Sequence, residues 1–244
     1  MEHDLRSPSG IERKAVMLKA VGDNLSRVRE RISAACFKYG REASDVRLVA
    51  VSKTKPVDLI YVAMEEGQME FGENYVQDAL TKIVVLPQVT WHFIGNIQSN
   101  KTQQIANNFD WVHSLASVKV AKRLSWQREK EAPLNVLVQV NVSKDPKKAG
   151  IEADNVSQML EEIQGLENLK LRGLMTITEN TREQNKQRKH FARLSRLLEE
   201  LNCQHSLSDF NQLSMGMTQD LELAIAEGAT IVRVGTDIFG ARET

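Results

Sequence analysis

Lys53 lies in the stretch LVAVSKTKP (48–56), in which the apolar run Leu48-Val49-Ala50-Val51 passes through Ser52 to an ammonium, and Pro56 ends the extended structure. A lysine set against a desolvated strand is biased towards the neutral amine, the form that attacks a carbonyl and makes a Schiff base. The blander reading is a stem lying along the strand with its head in water. This stretch alone leaves both open.

Two other stretches could bind an anion. Ser214-Met215-Gly216-Met217 is expected to lead straight into a helix over 218–226, where free N–H groups favour negative charge and Gly216 admits a close backbone approach. Gly235-Thr236 adds a second small loop with a hydroxyl donor. Either glycine alone could merely serve a tight turn. Together the two loops point to phosphate.

Arg233 sits in IVRVG, so it alternates with Val232 and Val234 and shares a face with Ile231 and Gly235. If the valines meet helices, the guanidinium faces inward and must find acceptors. An ion pair with Glu73 is one solution. A hydrogen bond to a bound heterocycle is the other.

The elements that must position these residues follow from periodicity. Apolar residues from Val16 to Cys36 recur at helical spacing over 11–39, with Gly40 as a stop. Short apolar runs at 48–52, 69–72, 90–95, 111–115, 135–142, 169–177, 212–215 and 230–235 then read as eight strands. Helices alternate with them, at 58–66 capped by Asp58, 75–85, 101–107, 118–130, 154–163 capped by Asp154, 182–201 and 218–226. Eight alternating units without a linker predict one α/β domain over 11–244, a closed (β/α)8 TIM-type barrel, after a disordered 1–10. A doubly wound sheet is the rival, but its usual glycine-rich first turn reads SKTKP here. In a barrel every candidate above falls on the carboxyl rim, where such folds carry their chemistry.

Composition narrows the partners. Lys plus Arg and Asp plus Glu both number 32, so no global field draws in nucleic acid or a membrane surface. The polar segment at 178–189 reads as a solvated helix face rather than an RNA site. Cys36 and Cys203 have no metal spacing, and they fit a reducing, cytoplasmic setting better than a disulfide framework. No apolar run is long enough to span a bilayer, and the polar start is no signal peptide. His92 and His113 fall within strands three and four, where satisfied core histidines are expected.

The segments VAVSKTKP, FGENYVQ, WHFIGNIQSNK, KAGI, GLMTI, LSMGMTQDLELAIAEGAT and VRVGTDIFGAR resemble, in order, the pyridoxal phosphate homeostasis protein family. That family is itself similar to the amino-terminal barrel of alanine racemase, and the match runs from about residue 15 to Arg242. The resemblance implies pyridoxal 5′-phosphate as cofactor, held by Lys53 as an internal aldimine. It further implies that Ser214, Gly216, Met217, Gly235 and Thr236 hold the phosphate, that Arg233 approaches the pyridine nitrogen, and that Asn74 and Met175 line the cofactor. No metal is implied.

An arginine at the ring nitrogen can only donate, so the nitrogen stays neutral and the ring is a weak electron sink. Racemases of this type draw a second base from a carboxyl-terminal β domain and a dimer partner. This sequence ends just past strand eight, and among its tyrosines only Tyr75 falls near the rim. The expectation is therefore a cytoplasmic, monomeric carrier with little or no turnover that takes part in cofactor homeostasis. Apo forms of pyridoxal phosphate enzymes are its candidate recipients. A minor racemase or transaminase is the alternative, and a cofactor-free lysine aldolase would have no use for Arg233.

Overall fold

The structure, a computed structural model, describes residues 10–145, 148–178, 183–207 and 209–241, with side chains from residue 18. Eight parallel strands close in chain order: β1 (Arg47–Val51), β2 (Glu70–Glu73), β3 (Thr90–Phe93), β4 (Trp111–Leu115), β5 (Leu134–Gln139), β6 (Leu169–Met175), β7 (Gln212–Ser214) and β8 (Ile231–Val234). The pairing of β1 with β8 excludes the open sheet. A helix follows each strand: α2 (Val57–Glu65), α3 (Val76–Ile83), α4 (Thr102–Asn108), α5 (Val118–Gln127), α6 (Val156–Ile163), α7 (Gln184–His205), α8 (Leu221–Ala226) and α9 (Thr236–Phe239). The expected barrel is the observed one.

Strand alternation divides the core in two. Ala50, Phe71, Val112, Val136, Val232 and Val234 face the helices in one continuous cluster, while Val49, Trp111, Leu137, Met175 and Ile231 fill the barrel interior. The additional helix α1 (Gly10–Lys38) packs along α2, α8 and α9 through Val21, Leu25, Val28 and Ile32. Gly10 is thus helical, and the rest of the segment expected to be disordered lies outside the described residues.

Several element ends differ from expectation for local reasons. Asp58 does not cap α2: Pro56 holds the N-cap position in extended conformation and Asp58 lies in the first turn. Asp154 sits in a short 3-10 turn, and Asn155 is the N-cap of α6. Most consequentially, α8 begins at Leu221 rather than 218, because Thr218, Gln219 and Asp220 form a turn. The short α9 after β8 was not expected. Among the described residues no helix is long and apolar enough to cross a membrane.

Candidate functional site

A cleft of about 560 Å³ opens at the carboxyl ends of the strands, bordered by Lys53, Asn74, Met217, Arg233, Gly235 and Thr236. Six of the residues singled out from sequence are therefore brought together. The other three lie beneath the surface of the cleft. Met175 belongs to the interior apolar cluster, Ser214 is fully buried, and buried Gly216 packs against α8.

Lys53 follows β1 in a turn that is held from behind. Buried Lys82, on α3, donates to the Ser52 carbonyl at 2.9 Å, to Glu73 Oε1 at 2.8 Å and to Asp78 Oδ2 at 2.8 Å. Ser52 Oγ donates to the same Glu73 oxygen at 2.7 Å, and the Thr54 N–H donates to Asp78 at 3.0 Å. Thr54 has φ +62°, a conformation that a non-glycine residue adopts only when its surroundings impose it. The carbonyl before Lys53 and the N–H after it are thus tied to one buried ion cluster. Burial raises the Glu73 carboxyl above its ordinary range, with Lys82 and Ser52 opposing that rise.

Glu73 is consequently not the partner of Arg233. The two lie on opposite faces of the barrel wall, Glu73 towards the helices with Phe71 and Arg233 towards the interior with Ile231, so the suggested ion pair is geometrically closed. Arg233 donates instead to Ser214 Oγ at 2.5 Å and to the Thr176 carbonyl at 3.0 Å. Burial lowers its pKa to about 10, with Asp220 opposing, so the guanidinium is charged at neutral pH. Two of its five N–H donors are committed by these bonds.

The loops after β7 and β8 close one side of the cleft. Gly216 has φ +92°, and a Cβ there would fall 2.6 Å from Ala224 Cβ. At Gly235 a Cβ would stand 3.1 Å from the Val51 carbonyl oxygen, so a side chain would crowd the cleft wall. Asp220, absent from the sequence candidates, accepts the Met217 N–H at 2.6 Å and the Thr178 hydroxyl at 3.3 Å. This bond explains the late start of α8, since Asp220 turns the chain back before the helix begins. Burial raises its carboxyl, and the Met217 and Thr178 bonds with nearby Arg233 hold it down in part.

Arg31 fixes both loops from outside. Its guanidinium donates to the Thr218 carbonyl at 2.9 Å and pairs with Glu222 at 2.8 Å and Asp237 at 2.5 Å, so α1 bridges the residues behind the two rims. Thr178 and Gln187 also border the cleft. Gln187 comes from the segment read as a solvated face, and its burial on the otherwise polar start of α7 had no signal in residue type. Tyr75 is exposed at the N-cap of α3 and is not among the residues bordering the cleft.

Residues 16–243 match the family described as alanine racemase, N-terminal domain. The pyridoxal phosphate homeostasis protein of Pseudomonas aeruginosa is 47% identical over 229 residues, covering 93% of this chain and 97% of the relative. That of Escherichia coli is 41% identical over 229 residues, covering 91% and 97%. The structure of PipY from Synechococcus elongatus with pyridoxal phosphate bound is 34% identical and superposes with a TM-score of 0.79, covering 90% of this chain and 100% of PipY. Alanine racemase from Corynebacterium glutamicum, 15% identical with a TM-score of 0.70 over 92% of this chain and 62% of its own, shares the fold. The chain belongs to the pyridoxal phosphate homeostasis protein family.

Proposed function

We propose that this chain binds pyridoxal 5′-phosphate in the rim cleft, joined to Lys53 as a Schiff base, and that it stores, buffers or delivers the cofactor inside the cell. The observation that carries this reading is the convergence of Lys53 and Arg233 on one cleft from the paired strands β1 and β8, beside the small loops that end at Met217 and Thr236. The cleft suits an aromatic aldehyde phosphate. Asn74 Oδ1 is buried without a hydrogen-bond partner among the described residues, and a Cβ at Gly235 would press on the Val51 carbonyl at the cleft wall.

On this reading Arg233 donates to the pyridine nitrogen, while Met217, Gly235 and Thr236 receive the phosphate. Asn74 lies along the cofactor. Met175, Ser214 and Gly216 support those contacts from beneath, Ser214 by anchoring Arg233 and Gly216 by shaping the loop. Bound pyridoxal phosphate supplies an aldehyde for the lysine and a ring that can accept electrons. A guanidinium charged up to about pH 10 donates to the ring nitrogen and leaves it unprotonated, which weakens that electron sink. On this reading the chain has little or no turnover and acts as a cytoplasmic monomer that passes cofactor to apo enzymes.

The alternative is a weak racemase or transaminase. It would show as solvent deuterium entering the α-carbon of an amino acid.

Titration with pyridoxal phosphate, followed by visible absorption, tests the main reading. The wild type should develop a band that Lys53→Ala lacks while keeping the native circular dichroism. An equal band in the variant would move the attachment off Lys53.

A further inference from the structure

A file of polar side chains runs through the barrel interior from Glu70 at its amino-terminal end to Arg233. It begins at Glu70, whose Oε2 stands 3.3 Å from His92 Nε2. His92 Nδ1 meets His113 Nε2 at 2.9 Å, and His113 Nδ1 meets Ser214 Oγ at 2.8 Å. Ser214 Oγ then accepts from Arg233 at 2.5 Å. Both histidines are 0% exposed. Such a file within an apolar core is costly unless its donors and acceptors match throughout.

Only one polarity satisfies every contact. Arg233 can only donate, so Ser214 Oγ is an acceptor on that side and its proton is free to point to His113. At the other end, Glu70 Oε2 and His92 Nε2 face each other, and neither has a hydrogen-bond partner among the described residues. An ionised carboxylate repels a ring lone pair at that distance, so the His92 proton resides on Nε2. His92 Nδ1 is then an acceptor and must receive the His113 Nε2–H. His113 Nδ1 is therefore also an acceptor, and it takes the serine proton. The opposite polarity would point a lone pair at Glu70.

The protonation states agree with this pattern. Burial lowers the pKa of both histidines, well below the ordinary range for His113, so neither is an imidazolium at neutral pH. Burial works against the charge of Glu70, but His92 and Arg47 more than offset it and the carboxyl falls below its ordinary value.

We propose that Glu70, His92 and His113 are positioning residues for Arg233: the carboxylate selects the Nε2–H tautomer of both histidines, and this orients the Ser214 hydroxyl so that its lone pair anchors the guanidinium facing the cleft. The effect on cofactor rests on the pyridoxal phosphate reading. The tautomers do not.

The test is 15N NMR of histidine-labelled protein without added cofactor, in the wild type and in Glu70→Gln, paired with cofactor titration of both. The wild type should show His92 and His113 as Nε2–H tautomers. A glutamine amide can face His92 with either its oxygen or its N–H, so Glu70→Gln should populate the Nδ1–H tautomer of His113. It should also weaken pyridoxal phosphate binding about tenfold, the scale of one misdirected hydrogen bond to a charged group. A structural role alone would leave the tautomers unchanged. An Nδ1–H tautomer or an imidazolium at either histidine in the wild type overturns the proposal, as do unchanged tautomers in a folded Glu70→Gln. Correct tautomers with no cofactor binding by the wild type would instead contradict the cofactor reading and leave the hydrogen-bond file standing.

Discussion

Lys82 Nζ lies 2.9 Å from the carbonyl oxygen of Ser52, the residue immediately before Lys53. A second lysine, 2% exposed, thus holds the backbone that presents the first. Lys82→Met would keep much of the volume but leave Glu73 without its cation. Removing one member of a buried ion cluster costs roughly 3–5 kcal/mol, so a large fall in urea unfolding free energy is expected. A loss below about 1 kcal/mol would show that the cluster relaxes, contradicting its role as a rigid clamp.

Arg31 joins the loops after β7 and β8 from α1, with its side chain about one-third exposed. Solvent screening limits what these pairs contribute to stability, so Arg31→Ala should cost only about 1 kcal/mol. Its effect should show in cofactor retention, since the Thr218 carbonyl and Asp237 would no longer share an anchor. The expected result is a several-fold faster cofactor release in stopped-flow dilution. An unchanged release rate would mean that the loops hold their shape alone.

Gly216→Ala combines two penalties, a positive φ and a Cβ set 2.6 Å from Ala224 Cβ. Strain and overpacking of this kind cost roughly 1–3 kcal/mol. Thermal unfolding should show a fall in Tm of several degrees. At Lys53, by contrast, alanine opens no deep cavity and the fold should persist.

The buried histidines set an acid dependence. Their folded pKa values lie below the ordinary 6.5, so the unfolded chain binds protons that the native chain does not as pH falls through that value. Stability is fully present above pH 6.5 and falls below it, by up to about 1.4 kcal/mol per pH unit for each histidine. Asp220 and Glu73, whose carboxyls are raised, act in the opposite sense: each favours folding at low pH and loses that contribution as pH rises through its folded pKa. Comparing His113→Gln with the wild type isolates the histidine contribution. The variant should give the flatter profile between pH 7 and 5, and parallel profiles would contradict a neutral, buried His113.

What could be read from sequence was what depends on local pattern. Lys53 at a strand end, and Arg233 facing inward, both follow from period-two alternation in short apolar runs, and the structure places them on one cleft. The barrel itself followed from eight alternating units. Residues whose roles depend on tertiary neighbours were not legible. Lys82 occupies an ordinary amphipathic helix, and nothing in QDALTKI signals that its ammonium is buried against Glu73. His92 and His113 were recognisable as core residues, but their alignment with Ser214 depends on which strands become neighbours and in which register. Asp220 was overlooked because it fell within the first turn of the helix expected over 218–226. Its carboxylate instead bonds the Met217 N–H, which moves the start of α8.

The central claim, that Lys53 is the point of attachment, is tested most directly by borohydride reduction of the protein loaded with pyridoxal phosphate, followed by mass mapping of its peptides. Lys55 borders the same cleft and Lys82 lies just behind the turn, so the experiment has real competitors within reach. The account predicts a single stoichiometric pyridoxyl adduct on Lys53. An adduct on Lys55 or Lys82, or none with Lys53 unmodified, would contradict it.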